Sequence, residues 1–268
     1  MKEYKGFTLI EMLIGIAVLS LLLLAFTQIF GSSLRASSEI NARNELISEG
    51  QIAQQLISSK LKSAYYVYPT GTSIQLVGAG FTAKNTVNGA DTYTWRVGTD
   101  PFVALILPPT VKATCSSSSR DACFSFYAYY PVLRSTLIEK HPEIAPPADP
   151  NNANMWILME YRANLIDGVN RSTDTLANPP NAPNGTFATI TTNSASTAPT
   201  IKGQSGQMLT DYVQPLGNAP YNTMFAIDSA NKTVDFNLRL QQVDSGKILT
   251  APGGTSLLKS RVYPRNWF

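Results

Sequence analysis

The sequence has little of the chemistry on which most active sites and metal centres depend. Its 268 residues include a single histidine, His141, and two cysteines, and only 15% of the residues are charged. His141 stands beside Pro142 in a proline-rich stretch, with neither a Ser-His-Asp arrangement nor a zinc-ligand pattern around it. No glycine-rich phosphate loop, HExxH motif or EF-hand spacing is present. We therefore predict a protein that is not an enzyme and that holds no cofactor and no metal.

The charges indicate no strong ligand preference. The 21 basic and 18 acidic residues leave a formal net charge of +3 at pH 7, too small to predict a general attraction to nucleic acid or to anionic membranes. Asp167, Asn170 and Asp174 offer oxygen ligands, so a calcium site there is the alternative to the solvated turn that we favour.

The two cysteines, Cys115 and Cys123, lie eight positions apart in a serine-rich stretch. In an oxidising compartment they would close a small loop. Two free thiols are the alternative, and the sequence leaves both states open.

The N-terminal part of the chain contains a long apolar run without proline. The run extends over the 24 residues from Phe7 to Phe30, which would span about 36 Å as a helix. That length is enough to cross a bilayer core of about 30 Å. Lys2 and Lys5 precede the run, and we expect them to stay cytoplasmic while the rest of the chain lies outside.

Two residues distinguish this run from an ordinary secretory signal peptide. Such a peptide is cleaved after its apolar segment, whereas here Gly6 precedes the segment, so cleavage after Gly6 would leave the helix on the mature protein. Glu11 places a carboxyl group about one helical turn inside the apolar run. That burial costs about 2–3 kcal/mol on lenient insertion scales, so Glu11 needs either a partner or a position from which it can snorkel to the interface.

The segment at residues 6–14 reads GFTLIEMLI and resembles the class III signal of type IV pilins and of type II secretion pseudopilins. In that family, prepilin peptidase cuts after the glycine and methylates the new N-terminal residue. The resemblance implies a leader at residues 1–6, cleavage between Gly6 and Phe7, and methylation of Phe7. It also implies that Glu11 helps to dock a subunit against the N-terminal amine of its neighbour, so that two opposite charges are neutralised together. The run differs from many major pilins, which carry a proline in its later part, where this chain has Gln28.

Residues 31–64 also lack proline and continue the helical pattern. One narrow apolar stripe at helical spacing is formed by Leu46, Ala53, Ile57, Leu61 and Ala64. We predict one long helix, with a transmembrane or filament-core part at residues 7–30 and an amphipathic part at residues 31–64. The stripe would pack against a globular head.

From residue 65 onward the pattern changes to short β-rich runs separated by Gly, Pro and Asn, which predicts an antiparallel sheet. The predicted strands are Ser73–Gly78, Thr92–Val97, Phe102–Leu107, Cys123–Tyr130, Met155–Arg162, Thr223–Asp228, Thr233–Gln242 and Leu257–Tyr263. Two segments, His141–Asn154 and Asp167–Gly206, are predicted loops. The fold class is α+β and pilin-like: a long N-terminal transmembrane helix packed on the antiparallel head of residues 65–268.

A softer resemblance lies in the C-terminal third, in the order of residues 208–216, 234–240 and 260–266. This layout is similar to that of PilW-type minor pilins and of the J-type pseudopilin of type II secretion. It implies a minor subunit of a type IV pilus, with a type II secretion pseudopilin as the alternative. The implied partners are the major pilin, other minor pilins, the prepilin peptidase and the inner-membrane assembly platform. The protein would begin as a single-pass inner-membrane protein with an extracytoplasmic head and end in a surface filament.

A hypothesis of another class is a binding module for DNA or a surface, displayed at the filament tip. Residues 245–268 contain no acidic residue, and they end in Trp267 and Phe268. Their basic residues are Lys247, Lys259, Arg261 and Arg265. Basic and aromatic side chains together can hold single strands, but an ordinary surface strand explains the same residues more simply.

Overall fold

The computed structural model describes residues 8–77, 80–87, 92–111, 113, 116, 118–165, 200–202, 206–216, 224–244, 246–254 and 256–265. The chain separates into two compact units, Met1–Glu45 and Leu46–Phe268. Helix α1 (Leu9–Lys62) belongs to the first unit over its N-terminal part and to the second over the remainder. The predicted long helix is therefore confirmed over these residues, while Phe7 lies outside the described ones.

Over residues 9–30, which belong to the first unit, apolar side chains lie on all sides of α1. Leu9, Leu21 and Ile29 are each more than 60% exposed within this single chain. Of the described helices, α1 is the one that is long and apolar enough to cross a membrane, and none of its most apolar window is buried. A helix that is apolar all round is stable only inside a bilayer or against other apolar surfaces.

In the second unit, α1 buries one stripe. The buried positions within the helix are Leu46, Gly50, Ala53, Ile57 and Leu61, which confirms the predicted stripe over this range and adds Gly50 to it. Ala64, the last predicted member, is also buried but lies beyond the end of the helix at Lys62. Gly50 allows close approach: a Cβ there would lie 2.7 Å from Cδ1 of Leu258. A glycine in a helix interior costs about 1 kcal/mol relative to alanine, and this contact explains its presence.

The described part of the head contains thirteen strands and a second helix, α2 (Arg134–Lys140). In chain order the strands are β1 (Tyr66–Val67), β2 (Ser73–Val77), β3 (Thr94–Arg96), β4 (Val103–Leu107), β5 (Phe124–Leu133), β6 (Trp156–Leu165), β7 (Thr200–Lys202), β8 (Gln207–Val213), β9 (Phe225–Asp228), β10 (Thr233–Leu238), β11 (Leu240–Asp244), β12 (Lys247–Ala251) and β13 (Leu258–Val262). The main sheet has the order β1-β4-β5-β6-β8-β11-β12, and two three-stranded sheets have the orders β13-β10-β9 and β3-β2-β7.

The main core lies on one face of the seven-stranded sheet, where aromatic side chains from β5 and β6 meet Trp95 of β3. The ring of Trp95 lies 4.8 Å from that of Tyr130. The polar atoms of these rings are satisfied locally: Tyr130 Oη donates to the Thr82 carbonyl at 2.9 Å, and Trp95 Nε1 donates to the Ala83 carbonyl at 2.8 Å. Tyr127 lies on the opposite face, where the Lys60 ammonium of α1 stands 4.7 Å from its ring centroid.

The structure corrects several strand predictions. The run predicted as one strand at Thr233–Gln242 is two, because the chain leaves one sheet after Leu238 and enters the main sheet at Leu240. Four strands and one helix were missed: β1, β7, β8, β12 and α2. The sheets are antiparallel except for β2 and β7, which pair in parallel. That pairing places Thr200–Lys202, within the predicted loop Asp167–Gly206, in a strand.

The predicted loop at His141–Asn154 is held against the head by a buried arginine. The Nη2 of Arg134 donates a 2.6 Å hydrogen bond to the carbonyl of Pro147, and the same guanidinium pairs with Asp211. Asp149 caps a short 3-10 turn at Pro150–Asn152 by accepting from the Asn151 amide. The loop is therefore anchored by specific polar contacts.

Candidate processing and assembly site

The predicted cleavage site, Gly6 and Phe7, lies outside the described residues, so the processing prediction stays a prediction. The described chain begins at Thr8, and α1 begins at Leu9. The part of the site that the structure describes is therefore the first turn of α1.

Thr8 and Glu11 form a reciprocal cap on this first turn. The Glu11 carboxylate accepts hydrogen bonds from the Thr8 amide at 2.9 Å and from the Thr8 hydroxyl at 2.8 Å. The Glu11 amide in turn donates to the Thr8 hydroxyl oxygen at 3.4 Å. This arrangement is a capping box, in which a threonine at the N-cap and a glutamate three residues later satisfy each other's free backbone N–H groups.

The capping box gives Glu11 a partner within its own chain. Its negative charge also stands at the N-terminal end of α1, where the helix dipole favours an anion. The polar atoms of Glu11 remain exposed in the single chain. A carboxylate in this position can accept a further donor from outside without losing the helix start.

Sequence reasoning assigned a role to Glu11 but missed Thr8. The signal was present, because a threonine followed three residues later by a glutamate and an apolar run is the sequence signature of a helix N-terminus. The cap also shows where the helix starts: the bond between Gly6 and Phe7 precedes the N-cap residue.

Of the other predicted site residues, Cys123 is buried and is not a free thiol. Cys115 lies outside the described residues, so their pairing remains a prediction. The alternative calcium ligands Asp167, Asn170 and Asp174 also lie outside them. The described residues contain no cluster of three or more His, Cys, Asp or Glu side chains that could hold a metal ion.

The basic C-terminal strand is partly neutralised by its neighbour in the sheet. Arg261 of β13 stands opposite Asp235 of β10 and donates to both carboxylate oxygens, at 2.7 and 2.8 Å. These hydrogen bonds lower the pKa of the Asp235 carboxyl and raise that of the Arg261 guanidinium. Arg261 therefore already has an anionic partner, which weakens its candidacy as a contact to nucleic-acid phosphates.

Residues 1–27 match the prokaryotic N-terminal methylation motif. No curated protein and no solved structure matches the chain significantly. The match covers the segment that contains Gly6, Phe7 and Glu11, and it is followed directly by the exposed apolar helix. Together with the α+β architecture, the motif indicates a protein of the type IV pilin or pseudopilin kind.

Proposed function

We propose that the chain is a minor structural subunit of a type IV pilus, processed by prepilin peptidase and active in filament assembly or priming. The observation that carries the proposal is the methylation motif at residues 1–27, joined to a helix whose apolar side chains are exposed on all sides. The size of the head favours a minor subunit, since major pilins are usually smaller. Motility, adhesion or DNA uptake would be downstream roles of the filament.

The helix would act through its two differently exposed parts. After cleavage, the apolar part would leave the bilayer and bury its side chains against neighbouring helices in the filament core. This exchange retains the burial of apolar area, because one apolar environment replaces another. The buried stripe from Leu46 to Leu61 would meanwhile keep the outer part of α1 bound to its own head.

Glu11 would take part in docking through the free acceptor capacity of its carboxylate. Thr8 already occupies it with two donors, yet an ionised carboxylate can accept about four hydrogen bonds. The methylated amine of a neighbouring subunit would supply the opposite charge. Because this contact would form in a low-dielectric setting, we expect docking to depend on the charge of Glu11 as well as on its size.

The test is mass spectrometry of filaments sheared from the producing bacterium. We expect a peptide that begins with methylated Phe7, present at low abundance relative to the major pilin. Gly6→Val should abolish this peptide, because the bulky side chain would stand at the scissile bond. Gly15→Val is the matched control for cleavage, since it adds the same side chain away from the scissile bond and a Cβ there meets nothing within 4 Å in the single chain.

The outcomes separate the competing hypotheses. A processed protein that stays in the membrane fraction, is absent from sheared pili and is needed for exoprotein release would favour the type II secretion pseudopilin. An unprocessed protein with an unmodified N-terminus would contradict both. A tip-displayed DNA-binding role would require filament-bound protein whose salt-sensitive DNA binding falls when Lys259, Arg261 and Arg265 are replaced together.

A further inference from the structure

A polar cleft of about 500 Å³ lies between the last turns of α1 and the chain at and after β13. Both walls belong to the compact unit Leu46–Phe268. The described residues that line it are Gln54, Gln55, Ser58, Ser59, Lys62, Ser63, Ser260 and Arg265. The volume is within the range of about 300–1,000 Å³ that is usual for ligand sites.

Direct contacts fix the two walls relative to each other. The hydroxyls of Ser58 and Ser260 share a hydrogen bond of 2.9 Å, and the Arg265 amide donates to the Lys62 carbonyl at 3.4 Å. Gly50, two turns earlier in α1, lets Leu258 approach the helix axis. The cleft is therefore part of the packed head, and little conformational entropy would be lost when a ligand binds there.

The charge of the lining selects for an anion. Among the described lining residues, Lys62 and Arg265 are the charged ones, and none of these residues carries a carboxylate. Within the described residues, neither cation makes an ion pair. Arg261 of β13 differs, because Asp235 already neutralises it.

The remaining lining groups indicate the class of the anionic ligand. Hydroxyls and carboxamides both donate and accept hydrogen bonds, and so they match the N–H and C=O groups of a peptide backbone. The described lining contains no aromatic side chain on which a nucleobase could stack. This composition favours a peptide with carboxylate side chains over a nucleic acid.

We propose that this cleft binds an extended acidic segment of a partner protein. Carboxylates of the segment would pair with Lys62 and Arg265, and its backbone would bond to the amides and hydroxyls along α1. The proposal depends on the lining of the cleft alone, and so it holds or fails independently of the filament role.

The test measures fluorescence anisotropy of a labelled peptide of alternating Glu and Ser, titrated with the full-length chain in neutral detergent. A peptide of alternating Lys and Ser is the charge-reversed probe, and we expect it not to bind. K62Q/R265Q should weaken binding of the acidic peptide about tenfold or more, since charge-assisted hydrogen bonds are lost. K140Q/R96Q, which removes two cations outside the cleft, should leave the affinity within about twofold of the wild type.

A second variant adds a negative charge while keeping both cations of the cleft. Gln55→Glu places a carboxylate in the lining, on an exposed helix position that tolerates glutamate, and should weaken acidic-peptide binding by electrostatic repulsion. Equal affinity of the wild type, Q55E and K62Q/R265Q would overturn the proposal. So would tighter, cleft-dependent binding of oligothymidylate or polygalacturonate, which would assign the cleft to a nucleic acid or an acidic sugar instead.

Discussion

The Nε of Arg134 lies 3.1 Å from each carboxylate oxygen of Asp211, 77 positions further along the chain. Arg134 is the first residue of α2 and is 1% exposed, whereas Asp211 belongs to β8. The same guanidinium lies 5.1 Å from the ring centroid of Tyr212. One side chain thus joins α2, β8 and the proline-rich loop. Burial nevertheless raises the pKa of the Asp211 carboxyl, which means that desolvation outweighs the attraction of Arg134.

Arg134→Met should lower the free energy of unfolding by about 3 kcal/mol, because it leaves the carboxylate of Asp211 buried without its cation. In R134M/D211N the buried charge is gone, and we expect about half of that loss to be recovered. The measurement is urea unfolding of the full-length chain in detergent, followed by tryptophan fluorescence. Arg261→Gln breaks an exposed pair and should cost less than about 1 kcal/mol. Equal losses in R134M and R261Q would contradict this prediction.

Tyr130→Phe should destabilise the head by about 1–3 kcal/mol, since the Thr82 carbonyl would lose its buried donor. Gly206→Ala should also destabilise it, because the new Cβ would lie 2.8 Å from the Tyr130 hydroxyl oxygen. In the Tyr130→Phe background that clash is absent, so Gly206→Ala should cost less there. Urea unfolding of the four proteins forms a double-mutant cycle, with Tyr263→Phe at an exposed tyrosine as control. If the losses in free energy of unfolding were strictly additive, the close approach of Gly206 to the Tyr130 hydroxyl would be contradicted.

Asp228 should make the stability of the head depend on pH in the acidic range. Its carboxylate accepts hydrogen bonds from the side chain and amide of Asn231 and from the Ala230 amide, and these bonds lower its pKa. A lowered pKa contributes stability that is complete above the unfolded-state value near 3.8 and is lost as the pH falls through the folded-state value. The stability difference between the wild type and Asp228→Asn should therefore shrink on acidification from pH 5 to about pH 2. Thermal unfolding of both proteins across this pH range measures the stability difference. A difference that stays constant with pH would contradict the role given to the Asp228 carboxylate.

Thr8→Val should loosen the first turn of α1, because it removes the hydroxyl that accepts from the Glu11 amide and donates to the Glu11 carboxylate. Loss of an N-cap costs about 1 kcal/mol, which corresponds to about fivefold faster exchange of the Glu11 amide proton. Hydrogen exchange followed by NMR in detergent micelles measures this rate. Thr8→Ser keeps the hydroxyl and should exchange like the wild type. If Thr8→Val and Thr8→Ser exchanged equally, the hydroxyl would have no capping role.

Local pattern predicted the helix and most strand positions, but not the assignment of strands to sheets. The alternation of polar and apolar residues is uninterrupted from Thr233 to Gln241, so nothing local marks the change of sheet at Arg239. The pairing of β2 with β7 joins segments more than a hundred residues apart, which periodicity cannot reveal. The β11–β12 hairpin was predictable, since a Ser-Gly pair separates Asp244 from its partner Lys247.

For the candidate site, too, the sequence predicted the contiguous motif but not the contacts between distant segments. The motif around Gly6, Phe7 and Glu11 is a contiguous pattern, and the match at residues 1–27 supports the interpretation of that segment. The pairing of Arg261 with Asp235 was not predictable, because it depends on the register between β10 and β13. The polar cleft was missed for a similar reason: its lining comes from two segments about 200 residues apart.

The hydrogen bond between Ser58 and Ser260 spans 202 positions of the chain. In a chain that emerges N-terminus first, the outer part of α1 must wait for about 200 further residues before β13 can cover that flank. Contacts of such long range also lower the folding rate, because the entropy of the connecting loop is lost before the contact forms. A chain cut before β13 would therefore keep the apolar part of α1 but would lack one of the strands that cover its outer part.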